Sequence, residues 1–144
     1  MGALMADAQK QLIEIFSNFS SPDEKYEKII ELGKALPPLS YGARIEKNLV
    51  QGCQSILYLE TTYKEGLIYF NADSEALISK GLAALLIYVY SGTTPEALFK
   101  EPPYFLKEIG LHQALSPARS NGLNSLYRKM QQEALKIISD RDTE

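Results

Sequence analysis

The sequence predicts an α+β fold: two N-terminal helices, a small antiparallel sheet of about three strands, then a buried helix and a long C-terminal helix. Apolar residues recur with helical spacing on both sides of residues 56–72, and that stretch instead contains two apolar runs joined by a glycine-containing turn. The chain has 144 residues, a length typical of one domain. We therefore expect a single domain over residues 1–144, with its core at about residues 8–139.

Two helices are predicted before the sheet. The first covers Leu4–Phe19, where apolar residues follow the spacing of one helix face. The second begins at Ser21-Pro22, because serine can cap a helix, proline suits the first turn and Glu24 completes a capping box. We expect it to end near Leu36, before Pro37-Pro38. Three of its side chains are predicted to point inward: Tyr26, Ile29 and Ile30.

The predicted sheet is centred on a hairpin. Its strands cover Ile56–Thr62 and Leu67–Ala72, and the turn between them, Tyr63–Gly66, ends in glycine. Leu49-Val50 is a candidate for a short third strand. The stretch before it, 39–48, is polar and is expected to be irregular.

The remaining helices follow the sheet. Asp73 or Ser74 is expected to cap a central buried helix, Glu75–Tyr90, since apolar residues surround much of its circumference. Small residues within it would let other elements approach closely: Gly81, Ala83 and Ala84. A short helix is expected from Thr94-Pro95 to Phe99, and a brief turn after Pro102-Pro103. A long helix is expected over Ser116–Ser139, followed by a frayed charged tail.

Composition excludes several kinds of site. The chain carries a formal charge of −3, so no global positive field would hold nucleic acid or an anionic membrane. One cysteine and one histidine are too few for a structural zinc site or for an iron–sulfur cluster held by this chain alone. The start lacks the pattern of a signal peptide, and the longest apolar run, Leu82–Tyr90, is too short to span a bilayer. We expect a cytoplasmic protein in which a lone thiol stays reduced.

Cys53 has the most unusual local setting. It follows Gly52 and precedes a predicted strand, so we expect it on a loop beside a rigid sheet, where functional residues often lie. A free cysteine is also commonly a small buried hydrophobe without chemical function. The residues alone leave both interpretations open.

Arg119 lies at the start of the long last helix, where the helix dipole already places partial positive charge. It is either a solvated or ion-paired arginine, or part of a positive site that could stabilise a thiolate or persulfide. The acidic side chains form no evident catalytic pair. His112, the single histidine, lies in a leucine-rich stretch, which favours a packing or surface role.

Four sets of motifs, in register from about Leu12 to Met130, resemble those of the SufE/CsdE family, the sulfur-accepting partners of cysteine desulfurases. No motif position departs from the family pattern. The matching segments are Tyr26 with Ile29–Gly33 and Leu36-Pro37, Val50–Ser55, Ala72–Ala76 with Lys80-Gly81-Leu82, and Leu115–Leu123.

The resemblance implies a fold like that of SufE and IscU, and a sulfur relay. The thiolate of Cys53 would attack the outer sulfur of a persulfide on a SufS/CsdA-type cysteine desulfurase, stimulate that enzyme, and pass the sulfur to an iron–sulfur scaffold complex. The chain itself would then be an accessory acceptor without a cofactor, because the pyridoxal phosphate belongs to the desulfurase. Family members shelter the resting cysteine and extend its loop on meeting the partner.

By the same resemblance, the loop and partner-binding residues would be Gly52, Gln54, Ser55, Glu75 and Arg119. Arg119 would be the charged stabiliser and Glu75 a group at a helix start near the loop. Two alternatives stay open: a docking module of the same fold that carries no sulfur, and a one-cysteine redox protein, although no histidine stands beside Cys53 to activate it. The sequence also leaves open whether the chain forms a homodimer.

Overall fold

Two helices, a β-hairpin and five further helices follow one another along the chain, which confirms the predicted α+β class. The computed structural model describes residues 2–143, with side chains from residue 7 onward. The elements are α1 (Gly2–Ser17), α2 (Pro22–Lys34), β1 (Leu57–Lys64), β2 (Leu67–Ser74), α3 (Leu77–Tyr90), α4 (Ala97–Lys100), α5 (Phe105–Glu108), α6 (Leu111–Ala114) and α7 (Pro117–Asp142).

The second helix begins as its sequence predicts. Ser21 accepts a hydrogen bond from the Glu24 amide, and Pro22 occupies the first turn. It ends at Lys34, two residues before the predicted end. Ile29 is fully buried, but the inward position predicted for Tyr26 is wrong: its side chain is 37% exposed, because it lies one turn toward the solvent-facing start of the helix.

The sheet has two strands within the described residues, not three. Leu57 pairs with Ser74 and Lys64 with Leu67, so the connecting turn is Glu65-Gly66 alone. Both turn residues have positive φ, as expected for a tight two-residue hairpin. The predicted third strand at Leu49-Val50 is reduced to an isolated bridge between Leu49 and Tyr58. A 3₁₀ turn at Glu46–Asn48 precedes it and the left-handed Gly52 follows it, which leaves no room for a longer ladder.

The central helix α3 is buried around most of its circumference, as predicted. It packs on α2 at glycine positions: a Cβ added to Gly81 would lie 2.1 Å from the Ile29 carbonyl oxygen. It starts at Leu77, two residues later than predicted, and neither Asp73 nor Ser74 caps it. Strand β2 continues through Ser74, so both side chains are used at the strand end instead.

Two differences concern the C-terminal half. Helix α6 (Leu111–Ala114) was not predicted, and α7 continues to Asp142, through the tail expected to fray. The end of α7 is held because Arg141 forms an ion pair with Glu96 at 2.5 Å. Of the residues described, no helix is long and apolar enough to cross a membrane.

Candidate functional site

Cys53 lies on a short segment that we call the Cys53 loop, residues 51–56, between the last 3₁₀ turn and β1. A hydrogen bond from the Val50 amide to the Leu57 carbonyl oxygen (2.8 Å) closes the base of this loop. Gly52 has φ +85°, and a Cβ there would stand 2.7 Å from Ser125 Oγ on α7. The left-handed backbone therefore favours glycine, and a Cβ there would also force Ser125 Oγ to move.

The thiol of Cys53 is half-buried against α7, where it donates to the Gly122 carbonyl oxygen at 3.7 Å. It faces a cavity of about 10 Å³, about the space of one water molecule. Most of the wall is apolar: Leu57, Leu82, Ala118, Leu123 and Leu126. Burial raises the pKa of the thiol, and the positive charge of Arg119 offsets part of that rise. In this position the neutral thiol is therefore favoured over the thiolate.

Arg119 forms the polar side of the cavity. Its Nη1 donates to Ser55 Oγ on the Cys53 loop at 2.8 Å and to Ser79 Oγ in the first turn of α3 at 2.9 Å. We call this three-residue contact the Arg119 bridge. Neither α3 nor α7 has an acidic residue in its first turn. Two positive helix ends and a guanidinium therefore lie beside the cavity, and their charge offsets part of the desolvation that disfavours an anionic sulfur there.

The structure brings together most of the residues expected at the site. Gln54 lines the cavity while remaining exposed, and Ser55 joins the loop to Arg119. Glu75 is exposed just before α3, and no hydrogen bond or ion pair among the described side chains links it to the Cys53 loop. His112 is exposed and lines a different depression, beside Leu106 and Leu115.

Sequence reasoning missed Ser79. Its hydroxyl lies in the predicted buried helix, and its only signal was a polar residue within an otherwise apolar face. Sequence reasoning also missed Gly122, which lies inside α7 and whose carbonyl oxygen accepts from the thiol.

The comparisons agree with the motifs. The sequence model of the SufE family, described as an Fe-S metabolism associated domain, matches residues 10–134. That match covers most of the chain and includes the Cys53 loop and the Arg119 bridge. The chain belongs to the SufE family.

Two relatives and one solved structure support this membership. An uncharacterized SufE-like protein of Synechocystis is 34% identical over 125 residues, covering 87% of this chain and 79% of that protein. The SufE-like protein 1 of Arabidopsis thaliana, chloroplastic/mitochondrial, is 34% identical over 129 residues, or 89% of this chain but 35% of that longer protein. A solution structure of a hypothetical protein from Thermus thermophilus superposes with a TM-score of 0.76 at 25% identity, covering 92% of this chain and 96% of the other.

SufE membership supports a role in iron–sulfur metabolism, and it suggests a sulfur acceptor that works with a cysteine desulfurase.

Proposed function

We propose that this SufE-family chain is a sulfur-relay protein for iron–sulfur cluster biogenesis, with Cys53 as the acceptor of persulfide sulfur. The observation that supports it best is the setting of the thiol. The single cysteine lies on a glycine-dependent loop, half-buried in an apolar cavity whose polar side is a guanidinium. A cation beside the thiol is typical of reactive cysteines, whereas inert ones are usually packed among apolar groups alone.

The transfer is a thiol exchange that needs no external oxidant. The Cys53 thiolate attacks the outer sulfur of a persulfide on a SufS/CsdA-type desulfurase, and a new sulfur–sulfur bond forms as the old one breaks. The thiolate of the partner leaves with the electron pair, and Cys53 becomes the persulfide. The pyridoxal phosphate that first mobilises the sulfur belongs to the partner, and an iron–sulfur scaffold complex receives the sulfur afterwards.

Control of access is part of the proposal. In the resting position the thiol is shielded and its pKa is raised, so it reacts slowly with small oxidants and electrophiles. Docking of the desulfurase would draw the Cys53 loop outward and expose the sulfur. Arg119 would then stabilise the anionic sulfur, and the exposed side chains of Gln54 and Glu75 would contact the partner.

The test is transfer of one sulfur atom, followed by intact mass. The chain is incubated with a SufS/CsdA-type desulfurase and cysteine, and the product should carry one additional sulfur that a reductant removes. Cys53→Ser should abolish both the adduct and the stimulation of the desulfurase. A matched control combines Cys53→Ser with Ser139→Cys, which keeps one thiol in the chain but places it on α7, about 25 Å along the helix from Gly122. This control should restore neither the sulfur adduct nor the stimulation of the desulfurase.

Two alternatives are distinguished by separate measurements. If the chain is a docking module without sulfur transfer, its Cys53→Ser variant should still stimulate the desulfurase normally. That outcome would overturn the relay. If the chain is a one-cysteine redox protein, the purified chain alone should consume peroxide. The Cys53 cavity contains no imidazole to activate the thiol, since His112 lines a different depression, and this makes the redox alternative the weaker one.

A further inference from the structure

Ser79 is a buried hydroxyl to which neither the motifs nor the proposed chemistry gives a role. Ser79 is 7% exposed, and it lies in the first turn of α3, a helix in which most residues are buried. A buried polar atom needs a hydrogen-bond partner, and the partner of Ser79 Oγ is Arg119 Nη1 at 2.9 Å. The same nitrogen also reaches Ser55 Oγ, two residues after Cys53.

The two acceptors differ in what they are attached to. Ser55 belongs to the Cys53 loop, which lies outside any helix or strand, whereas Ser79 belongs to a helix that is packed on almost every side. A long arginine side chain loses conformational freedom when it is held in one position. A rigid second acceptor removes that freedom in advance, so the guanidinium is already in place for Ser55.

We propose that Ser79 is a positioning residue for the Cys53 loop: it fixes the guanidinium of Arg119 so that Ser55 can bind it, and thereby holds the loop retracted. When the loop extends, Ser55 leaves the Arg119 bridge, and Ser79 keeps the guanidinium at the cavity. The functional role of this arrangement rests on the proposed sulfur relay. The retention of the loop by Ser79 does not depend on the relay, and it can be measured without a desulfurase.

The measurement is the rate at which iodoacetamide alkylates Cys53 in the purified chain, followed by mass spectrometry over a range of pH. Ser79→Ala should raise the rate about fivefold, the scale of the net contribution of one typical hydrogen bond, because the guanidinium keeps its other partner. Ser79→Thr retains the hydroxyl and should restore the slow rate. Ser91→Ala is the matched control: its Oγ accepts from the Phe70 amide at the other end of α3, so it loses a hydrogen bond away from the loop.

Double variants test whether Ser79 acts through Arg119. Ser55→Ala and Ser79→Ala break the same bridge, so their combination should be no faster than the faster single variant. In an Arg119→Met background, Ser79→Ala should change nothing further. Three outcomes would overturn the proposal. The first is a Cys53 alkylation rate in Ser79→Ala within twofold of that of the unaltered chain. The others are a Ser79→Ala effect that multiplies with the effect of Ser55→Ala, or one that persists in the Arg119→Met background.

The outcome is separable from that of the relay. Sulfur loading by the desulfurase reports on Cys53 chemistry, whereas alkylation without the desulfurase reports on the retention of the loop. A chain that loads sulfur but shows no effect of Ser79→Ala keeps the relay and loses the positioning role. The reverse result keeps the positioning role and loses the relay.

Discussion

Two polar corners lie at the same end of the hairpin, where Leu57 pairs with Ser74, and they are built in opposite ways. At one, Asp73 is 6% exposed as a residue, and its carboxylate is held from several directions. Its partners are the amides of Leu39 and Ser74 and the cations of Arg44 (2.7 Å) and Lys80 (3.4 Å). At the other, the Cys53 thiol makes one weak hydrogen bond. Its loop is held by two hydrogen bonds and no buried ion pair: Arg119 donates to Ser55 Oγ, and Ser74 Oγ donates to the Ile56 carbonyl oxygen.

The contrast teaches how the fold separates stability from movement. Asp73 joins three segments, namely the irregular stretch after α2, the end of β2 and the start of α3. A buried charge with so many partners cannot leave its position without a large loss of free energy. The Cys53 loop has no such charge, so moving it breaks no buried ion pair. The predictions below test this contrast, from the largest expected effect to the smallest.

Asp73→Asn should lower the free energy of unfolding by about 3 kcal/mol, because it leaves the cations of Arg44 and Lys80 without their buried counter-charge. Cys53→Ser should change it by less than about 1 kcal/mol. Urea unfolding measures both. Glu75→Gln is the control, an exposed carboxylate close to the same corner. If Asp73→Asn were no more destabilising than Glu75→Gln, the two corners would not differ as described.

The contribution of Asp73 to the free energy of unfolding should also decrease as pH is lowered. Burial by itself would raise its pKa, but hydrogen bonds from the backbone of Leu39 and Ser74 and the charge of Lys80 hold that pKa below its usual value. A carboxyl with a lowered pKa stabilises the fold above the unfolded-state pKa of about 3.9 and loses that effect as pH falls. The stability difference between the unaltered chain and Asp73→Asn should therefore shrink between about pH 5 and pH 2.

Gly52→Ala and Gly66→Ala form a matched pair with nearly equal φ, +85° and +83°. Each should cost about 1–2 kcal/mol, because a side chain disfavours the left-handed backbone. A Cβ at Gly66 meets nothing within 4 Å, whereas at Gly52 it meets Ser125 Oγ at 2.7 Å. Gly52→Ala should therefore also displace the Cys53 loop and raise the alkylation rate of Cys53, while Gly66→Ala should not. Equal alkylation rates in the two variants would contradict this account of the loop.

The sequence predicted local features better than long-range ones. The cap at Ser21, the hairpin and the buried central helix depend on residues close together in the chain, and all three are confirmed. The limits of α3 could not be predicted, because Asp73 and Ser74 are good caps in isolation but are engaged by Leu39, Arg44 and Ile56 from distant segments.

The same distinction applies to the site. Cys53 and Arg119 could be selected from their local settings and from the family motifs, but the contact that joins them could not. Arg119 meets Ser55 and Ser79 across separations of 64 and 40 residues. Periodicity describes which face of a helix is apolar. It does not show which polar residue on that face, here Ser79, has a partner.

The smallest predicted effect concerns the Cys53 corner at alkaline pH. Because burial raises the pKa of the folded thiol, the unfolded chain loses its proton first, at about pH 8.5. Stability is therefore unaffected below that pH and declines as pH rises above it, by at most about 1.4 kcal/mol per pH unit. Urea unfolding at pH 7 and pH 9.5 should show this decline in the unaltered chain and a smaller one in Cys53→Ser.

The pH range isolates the thiol from the tyrosines. Burial also raises the pKa of Tyr90 and Tyr127, so they too destabilise the fold at high pH, but only above an unfolded-state pKa of about 10. Identical declines in the unaltered chain and Cys53→Ser up to pH 9.5 would mean that the folded thiol ionises as readily as an unfolded one. The resting Cys53 would then be unprotected, and retraction of the loop would serve only to position the sulfur.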